Sequence, residues 1–162
     1  MRAVVLSDSH NNTAALERAI SSIGEKNIDI IIHLGDIKRD VDYIESMYYP
    51  IRVFSVLGNN DFMHNDDYER VIDFDGHKIF LCHGHTQSVN MGTEKLEKTA
   101  LEKGCEAALF GHTHHALLKK GENGMIILNP GSVSQPRGGR PAFAVLETEG
   151  GKLSAAIIDW VL

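Results

Sequence analysis

The chain of 162 residues has little sulfur: two cysteines, Cys82 and Cys105, and no Cys-x-x-Cys pair. A disulfide framework is therefore excluded, and each thiol, adjoining an apolar run, reads as a buried residue. Long apolar runs are missing too. No 18 consecutive apolar residues occur, so no membrane-spanning helix is expected. The opening MRAVVLSDSH has neither the h-region nor the cleavage site of a secretory leader, and a cytoplasmic protein is expected. Positive charge is scarce: 16 basic residues face 22 acidic ones, a net charge of -6. Gripping nucleic acid by charge needs a basic surface that displaces counterions, so stable nucleic-acid binding is not expected. A small phosphorylated molecule stays open, because bound metal ions supply positive charge locally. Linkers, repeats and low-complexity stretches are absent. The content of 43% hydrophobic and 23% charged residues is that of an ordinary globular protein. One domain over residues 1–162 is expected, long enough to bury most of its apolar surface without staples.

What the chain does have is histidine, nine in all, with His83/His85 and His112/His114 as pairs one residue apart. Histidine is the commonest metal-ligand side chain. The hydrophobic pattern says where these residues fall. Ala3 to Leu6 and Ile28 to Leu34 read as buried strands. Between them Leu16, Ala19, Ile20 and Ile23 recur at helical spacing behind an Asn12 N-cap, predicting a parallel βαβ unit. Val41, Ile44 and Tyr48 predict a short helix that Asp40 caps and Pro50 stops, with a third strand from Ile51 to Leu57. Tyr68 to Phe74 and Lys78 to Cys82 flank Asp75-Gly76, a two-residue hairpin signal. A helix is predicted from Thr93 to Lys103, ended by Gly104. Strands are predicted from Ala107 to Phe110, Ala116 to Lys120, Met125 to Asn129, Ala142 to Glu149 and Leu153 to Val161. Two mixed sheets packed face to face, with helices outside, satisfy this order.

The polar clusters follow the strands. Asp8 and His10 come after the first, Asp36 after the second and Asn59 after the third. His83 follows Cys82, and His112 and His114 follow Phe110. In open α/β sheets ligands bind beyond the carboxyl ends of strands, so five loops can converge there. Seven oxygen and nitrogen donors exceed what one ion needs and point to two. Asp36 is the natural bridge, because a carboxylate has two oxygens. Imidazole ligands argue against an all-oxygen magnesium or calcium cage, leaving Mn, Fe, Co, Ni or Zn. Two such ions about 3.5–4 Å apart form a clamp for in-line phosphoryl displacement. Gly35, Gly58 and Gly111 each precede a ligand, where the backbone must turn sharply.

The ordered set Asp8-Ser9-His10, Gly35-Asp36, Gly58-Asn59-Asn60-Asp61, His83-Gly84-His85 and Gly111-His112-Thr113-His114 resembles the calcineurin-like metallophosphoesterase superfamily. Asn129-Pro130-Gly131-Ser132 with Pro136-Arg137 is similar to its small YfcE-like phosphodiesterase branch, and the likeness covers nearly the whole chain. It implies an α/β fold, a four-layer α/β/β/α sandwich of two mixed sheets flanked by helices. It also implies hydrolysis of a small phosphodiester by a hydroxide bridging two divalent transition metals, with Mn the first choice and Ni, Co, Fe or Zn open. Asp8, His10, Asp36 and His114 would hold the first metal, and Asp36, Asn59, His83 and His112 the second. Asn60 departs from the wider superfamily, where many members carry His. An amide donates a hydrogen bond but does not titrate here, so esters with acidic leaving groups should turn over faster. Asn60 and His85 are expected to serve catalysis and, with Arg137, to contact substrate. Two alternative functions stay open: a phosphomonoesterase or nucleotide phosphatase, and a non-catalytic protein scaffold like the retromer small subunit. A homodimer or larger homo-oligomer is compatible with any of these.

Duller roles suit the other polar residues. His33 sits in an apolar strand and reads as a satisfied core histidine. His64, His77 and Arg140 read as solvated, and His115 as a bystander at a strand start. Asp61 either orients the metal loop or caps a helix. His85 could serve only to orient its loop, and Asn129 and Ser132 to shape a turn.

Overall fold

The computed structural model describes residues 1–62 and 64–160. The first half runs β1 (Arg2–Leu6), α1 (Thr13–Ile23), β2 (Ile30–His33), α2 (Lys38–Met47) and β3 (Arg52–Ser55). A hairpin follows, β4 (Glu69–Phe74) and β5 (His77–Cys82), then α3 (Glu94–Glu102), β6 (Ala107–Leu109), β7 (Ala116–Lys120), β8 (Ile126–Pro130), β9 (Ala142–Glu149) and β10 (Lys152–Asp159). The strands form two five-stranded sheets, ordered β10-β9-β1-β2-β3 and β4-β5-β6-β8-β7. β1, β2 and β3 pair in parallel, as the βαβ pattern predicts, and so do β5, β6 and β8. Antiparallel β9 and β10 complete the first sheet, and β4 and β7 the second.

Strand alternation builds the layers. Ala3 and Val5 of β1 point between the sheets, where they meet Phe74, Ile79, Leu81, Leu109 and Leu128 of the second sheet. Val4 and Leu6 point the other way, onto Leu16, Ala19 and Ile20 of α1 and Ile44 of α2. On the far side, Phe80, Cys82, Ala108 and Ile127 receive Leu96 and Ala100 of α3. Strands covered on both faces read as continuous apolar runs, which is why IDIIIHL shows no alternation. The expected four-layer α/β/β/α sandwich is the observed one.

The elements differ from expectation mostly at their ends. Asp75 (φ 54°) and Gly76 (φ 87°) make the two-residue turn between β4 and β5, with left-handed backbone at both positions. β10 spans Lys152–Asp159 rather than starting at Leu153, and the Val161 end of the expected strand lies outside the described residues. α2 begins at Lys38, ahead of the expected start, and Asp40 is no N-cap: it lies inside the first turn, buried. The cap comes from a remote loop instead. Asp61 Oδ1 accepts from the N–H groups of Ile37 (2.9 Å) and Lys38 (2.6 Å). Among the described residues, no helix is long and apolar enough to cross a membrane.

Candidate metal centre

Every predicted ligand leaves the carboxyl end of a parallel strand. Asp8 and His10 follow β1, Asp36 follows β2, Asn59 follows β3, His83 follows β5, and His112 and His114 follow β6. The backbone there is contorted. Asp8, His10, Asp36, His112 and His114 all adopt left-handed φ between 48° and 67°. Such conformations cost energy in residues with a Cβ and persist where the surroundings over-determine them.

The donor atoms fall into two sets. In the first, His114 Nε2 lies 3.2 Å from Asp8 Oδ1 and 3.2 Å from His10 Nε2. In the second, Asn59 Oδ1 lies 2.9 Å from His112 Nδ1 and 3.1 Å from His83 Nε2, which is 3.4 Å from Asp36 Oδ1. Asp36 reaches both sets, since its Oδ2 is 4.0 Å from His10 Nε2. Two donors each about 2.1 Å from one ion, at angles of 90–109°, lie about 3.0–3.4 Å apart, so these separations fit a shared cation. Ring orientation agrees. Nδ1 of His83 is 2.7 Å from the Leu34 carbonyl, and Nδ1 of His114 is 2.7 Å from the Gln135 carbonyl. A carbonyl only accepts, so each Nδ1 carries a hydrogen, and in the tautomer that a metal ion requires Nε2 is bare and turned inward. Asp8 Oδ1 is fully buried and takes no hydrogen bond of good geometry, although His114 is near. Bare nitrogens facing buried carboxylate oxygens are what a divalent cation satisfies.

Charge accumulates accordingly. Burial pushes the Asp8 carboxyl up, but the His114 contact, then His83 and Ser7, hold it below its usual range. The same Asp8 contact raises His114, against the opposing effect of burial. Burial, followed by the neighbouring His83, depresses both His85 and His112.

A buried polar frame holds the loops. Ser132 Oγ donates to the Asp8 carbonyl (2.7 Å), and Ser134 Oγ donates to the Ser9 carbonyl (2.8 Å). Asn129 Nδ2 donates to the Gly111 carbonyl (2.8 Å) and to Thr113 Oγ1 (3.0 Å). Asn129 and Ser132 thus do more than shape a turn. Backbone passes close at the glycines. A Cβ on Gly58 would sit 2.1 Å from Asp36 Oδ1, and one on Gly111 1.9 Å from Ser7 Oγ. The missing Cβ makes room for the Asp36 carboxylate at Gly58 and for the Ser7 hydroxyl at Gly111.

The model of the calcineurin-like phosphoesterase superfamily domain matches residues 1–151. This chain belongs to that superfamily. Among its relatives, the phosphodiesterase MJ0936 of Methanocaldococcus jannaschii is 26% identical over 92% of this chain and 94% of its own length. The phosphodiesterase YfcE of Escherichia coli K12 is 28% identical over 92% of this chain and 89% of its own. A conserved Streptococcus pneumoniae protein described as a predicted phosphoesterase superposes with a TM-score of 0.81 at 28% identity, covering 98% of this chain and 88% of that one. Vps29 of Entamoeba histolytica, at 22% identity, shares the fold with a TM-score of 0.78 over 99% of this chain and all of its own. The resemblance to the superfamily and its YfcE-like branch is borne out.

Against this phosphoesterase background the remaining predicted residues are placed as follows. Asn60 is exposed and faces Asp36: its Nδ2 donates to Asp36 Oδ2 (2.7 Å) and its backbone N–H to Oδ1 (3.2 Å). His85 lies beside His83 and His112, with ring centroids 5.6 and 6.2 Å away, and packs edge-on against Tyr68. Its buried Nδ1 has no hydrogen-bond partner among the described residues. Arg137 is exposed, and its backbone N–H donates to the His114 carbonyl (3.1 Å). His33 is buried and satisfied: Nδ1 accepts from the Gly35 N–H, so Nε2–H points to Ser9 Oγ at 3.0 Å, and Ser9 Oγ donates to Asp40. His64 and Arg140 are exposed, and Cys82 and Cys105 are buried free thiols. His77 is not merely solvated, since its Nδ1 is 2.9 Å from Glu106. Asn90 escaped the sequence pattern altogether. Its side-chain nitrogen lies 2.9 Å from His112 Nε2, leaving Nδ1 to face Asn59. No spacing signals that contact, because Asn90 belongs to the loop between β5 and α3, 22 residues before His112.

Proposed function

We propose that this protein is a phosphodiesterase that works with two divalent transition-metal ions, in one domain over residues 1–162. Asp8, His10, Asp36 and His114 hold the first ion, and Asp36, Asn59, His83 and His112 the second. The observation that carries this reading is the Asp36 carboxylate, whose two oxygens face two separate donor sets. Mixed nitrogen and oxygen donors favour a transition metal over Mg or Ca, and the family resemblance puts Mn first, with Ni, Co, Fe or Zn behind it. When bound, the two ions supply Lewis acidity, an activated water and a clamp on the phosphate oxygens. The chain's own groups do the rest. Asn60 holds Asp36 in its two-sided orientation and offers an N–H to the ester, His85 lines the site beside His83, and Arg137 attracts the phosphate. The net charge of -6 suits a small phosphoester better than a polynucleotide.

The test is hydrolysis of bis-p-nitrophenyl phosphate and p-nitrophenyl phosphate by metal-stripped protein, with Mn, Ni, Co, Zn or Mg returned singly. Transition metals should restore turnover, Mg less so, and the diester should be preferred. Preference for the monoester would support the phosphatase alternative. Two ions bound without turnover of either ester would support the non-catalytic scaffold alternative. Asn60→His should speed esters with poor leaving groups about 10²-fold, by adding a proton donor, and esters with acidic leaving groups much less. An equal response across leaving groups would remove the general-acid argument.

A further inference from the structure

Two clefts flank the metal centre, and they differ in chemistry. On the first-sheet side, Asn11, Ile37, Lys38, Arg39, Asn60 and His64 border about 450 Å³ of more polar space, with Asp42 and Asp61 also in its lining. On the second-sheet side, the loop carrying Val89 to Glu94 stands beside β7 and borders a cleft of about 650 Å³. That volume lies within the range of about 300–1,000 Å³ usual for small-molecule pockets and far exceeds what a phosphate group needs. Its lining includes the hydrocarbon of Val89, Phe110 and Leu117. Its rim carries Met91, which is 89% exposed, with the cations Lys119 and Arg137.

The second cleft adjoins the candidate ligands without being lined by them. Asn90, in its wall, touches His112. Thr113 lies between His112 and His114, and the Arg137 backbone binds the His114 carbonyl. A phosphorus centre held between the two donor sets has room on each side for one ester arm. Asn60 lines the polar cleft, so the arm that leaves as an alcohol or phenol departs there. The arm that stays on phosphorus then falls on the side with the hydrocarbon lining.

Resting on the phosphodiesterase reading above, we propose that the cleft between the Val89–Glu94 loop and β7 binds the non-reacting arm of the substrate, and that the substrates are phosphodiesters whose retained arm is a bulky group with an apolar face. Lys119 is paired with Glu97 (2.9 Å) and Glu94 also borders the cleft, so Arg137 alone at the rim favours an arm with polar edges around that face. A monoester, which has no retained arm, leaves the cleft unused.

The experiment uses the metal-loaded protein and two alkyl p-nitrophenyl phosphates, one with a methyl and one with a naphthylethyl retained arm. The leaving group and the alkyl ester chemistry are the same, so the ratio of the two kcat/KM values reads the retained arm alone. The naphthylethyl ester is expected to be favoured about tenfold or more. Leu117→Trp, which fills the cleft, should bring the ratio near one. Met91→Asp, at a position too exposed to threaten folding, should lower it in the same direction. Leu118→Trp, the next residue along β7 and outside the cleft lining, should leave it unchanged. Brisk metal-dependent turnover with a ratio near one in the unmodified protein overturns the cleft assignment while the phosphodiesterase reading stands. No turnover of either ester with any metal overturns both.

Discussion

Replacing Asp36 by Asn is expected to lower kcat/KM for bis-p-nitrophenyl phosphate by at least about 10³-fold, with the protein still folded. The oxyanion-hole precedent, in which one lost polar contact costs about 10²–10³, sets the lower bound, and on the proposed assignment a full charge shared by two ions would be removed. The geometry gives a second reason. Asn60 Nδ2 donates to Asp36 Oδ2 at 2.7 Å, and His10 and His83 approach from either side. An amide puts an NH₂ where one of the two acceptors stood. Either Asn60 or a metal then meets a donor instead of a lone pair. Metal analysis should fall from two ions per chain to one or none. Thermal unfolding gives an independent reading. Ligands that bind only the folded state raise Tm, so added Mn should stabilise the unmodified protein far more than Asp36→Asn. Two ions and normal turnover in Asp36→Asn would defeat the bridging assignment.

Gly58→Ala should have the largest effect on stability of any single added methyl at the site. The new Cβ would meet Asp36 at 2.1 Å from Oδ1 and 2.4 Å from its backbone nitrogen. A side-chain oxygen can rotate away, but a backbone nitrogen in a packed strand-end loop cannot. Overpacking of this kind costs about 1–3 kcal/mol, and the backbone clash places Gly58 at or above the top of that range. Gly104→Ala is the control. Gly104 has φ of 70°, and an added methyl there would meet nothing within 4 Å, so it bears only the conformational cost of about 1 kcal/mol. Urea titration of both metal-free variants separates crowding from backbone strain. Equal losses at the two positions would show that the loops after β2 and β3 have slack. Metal content should also fall in Gly58→Ala, because the loop carrying Asn59 must shift away from Asp36.

Much of this was legible in the chain. β-Branched runs and helical spacing placed the elements to within a few residues, because burial on one or both faces writes a period into the sequence. Element ends were less legible. Asp40 looked like a cap because it precedes an apolar run, yet the cap of α2 is Asp61, more than twenty residues on. Local pattern cannot report a carboxylate delivered by another loop.

The division is clearest at the metal centre. By itself the sequence determined which residue types stand at the end of each strand, since order along the chain and strand periodicity are local properties. It determined the oxygen and nitrogen character of the donors, and hence the kind of metal they suit. Which donor atoms come together was decided by tertiary structure. His10 meets His114 across 104 residues, and Ser132 reaches Asp8 across 124, only because β1, β6 and β8 end at one edge of two packed sheets. The left-handed backbone at Asp8, Asp36 and His112, the Asn90 contact and the apolar cleft have the same origin. They depend on contacts between segments far apart in the chain, whose strength is set by packing and which leave no repeating mark in the sequence.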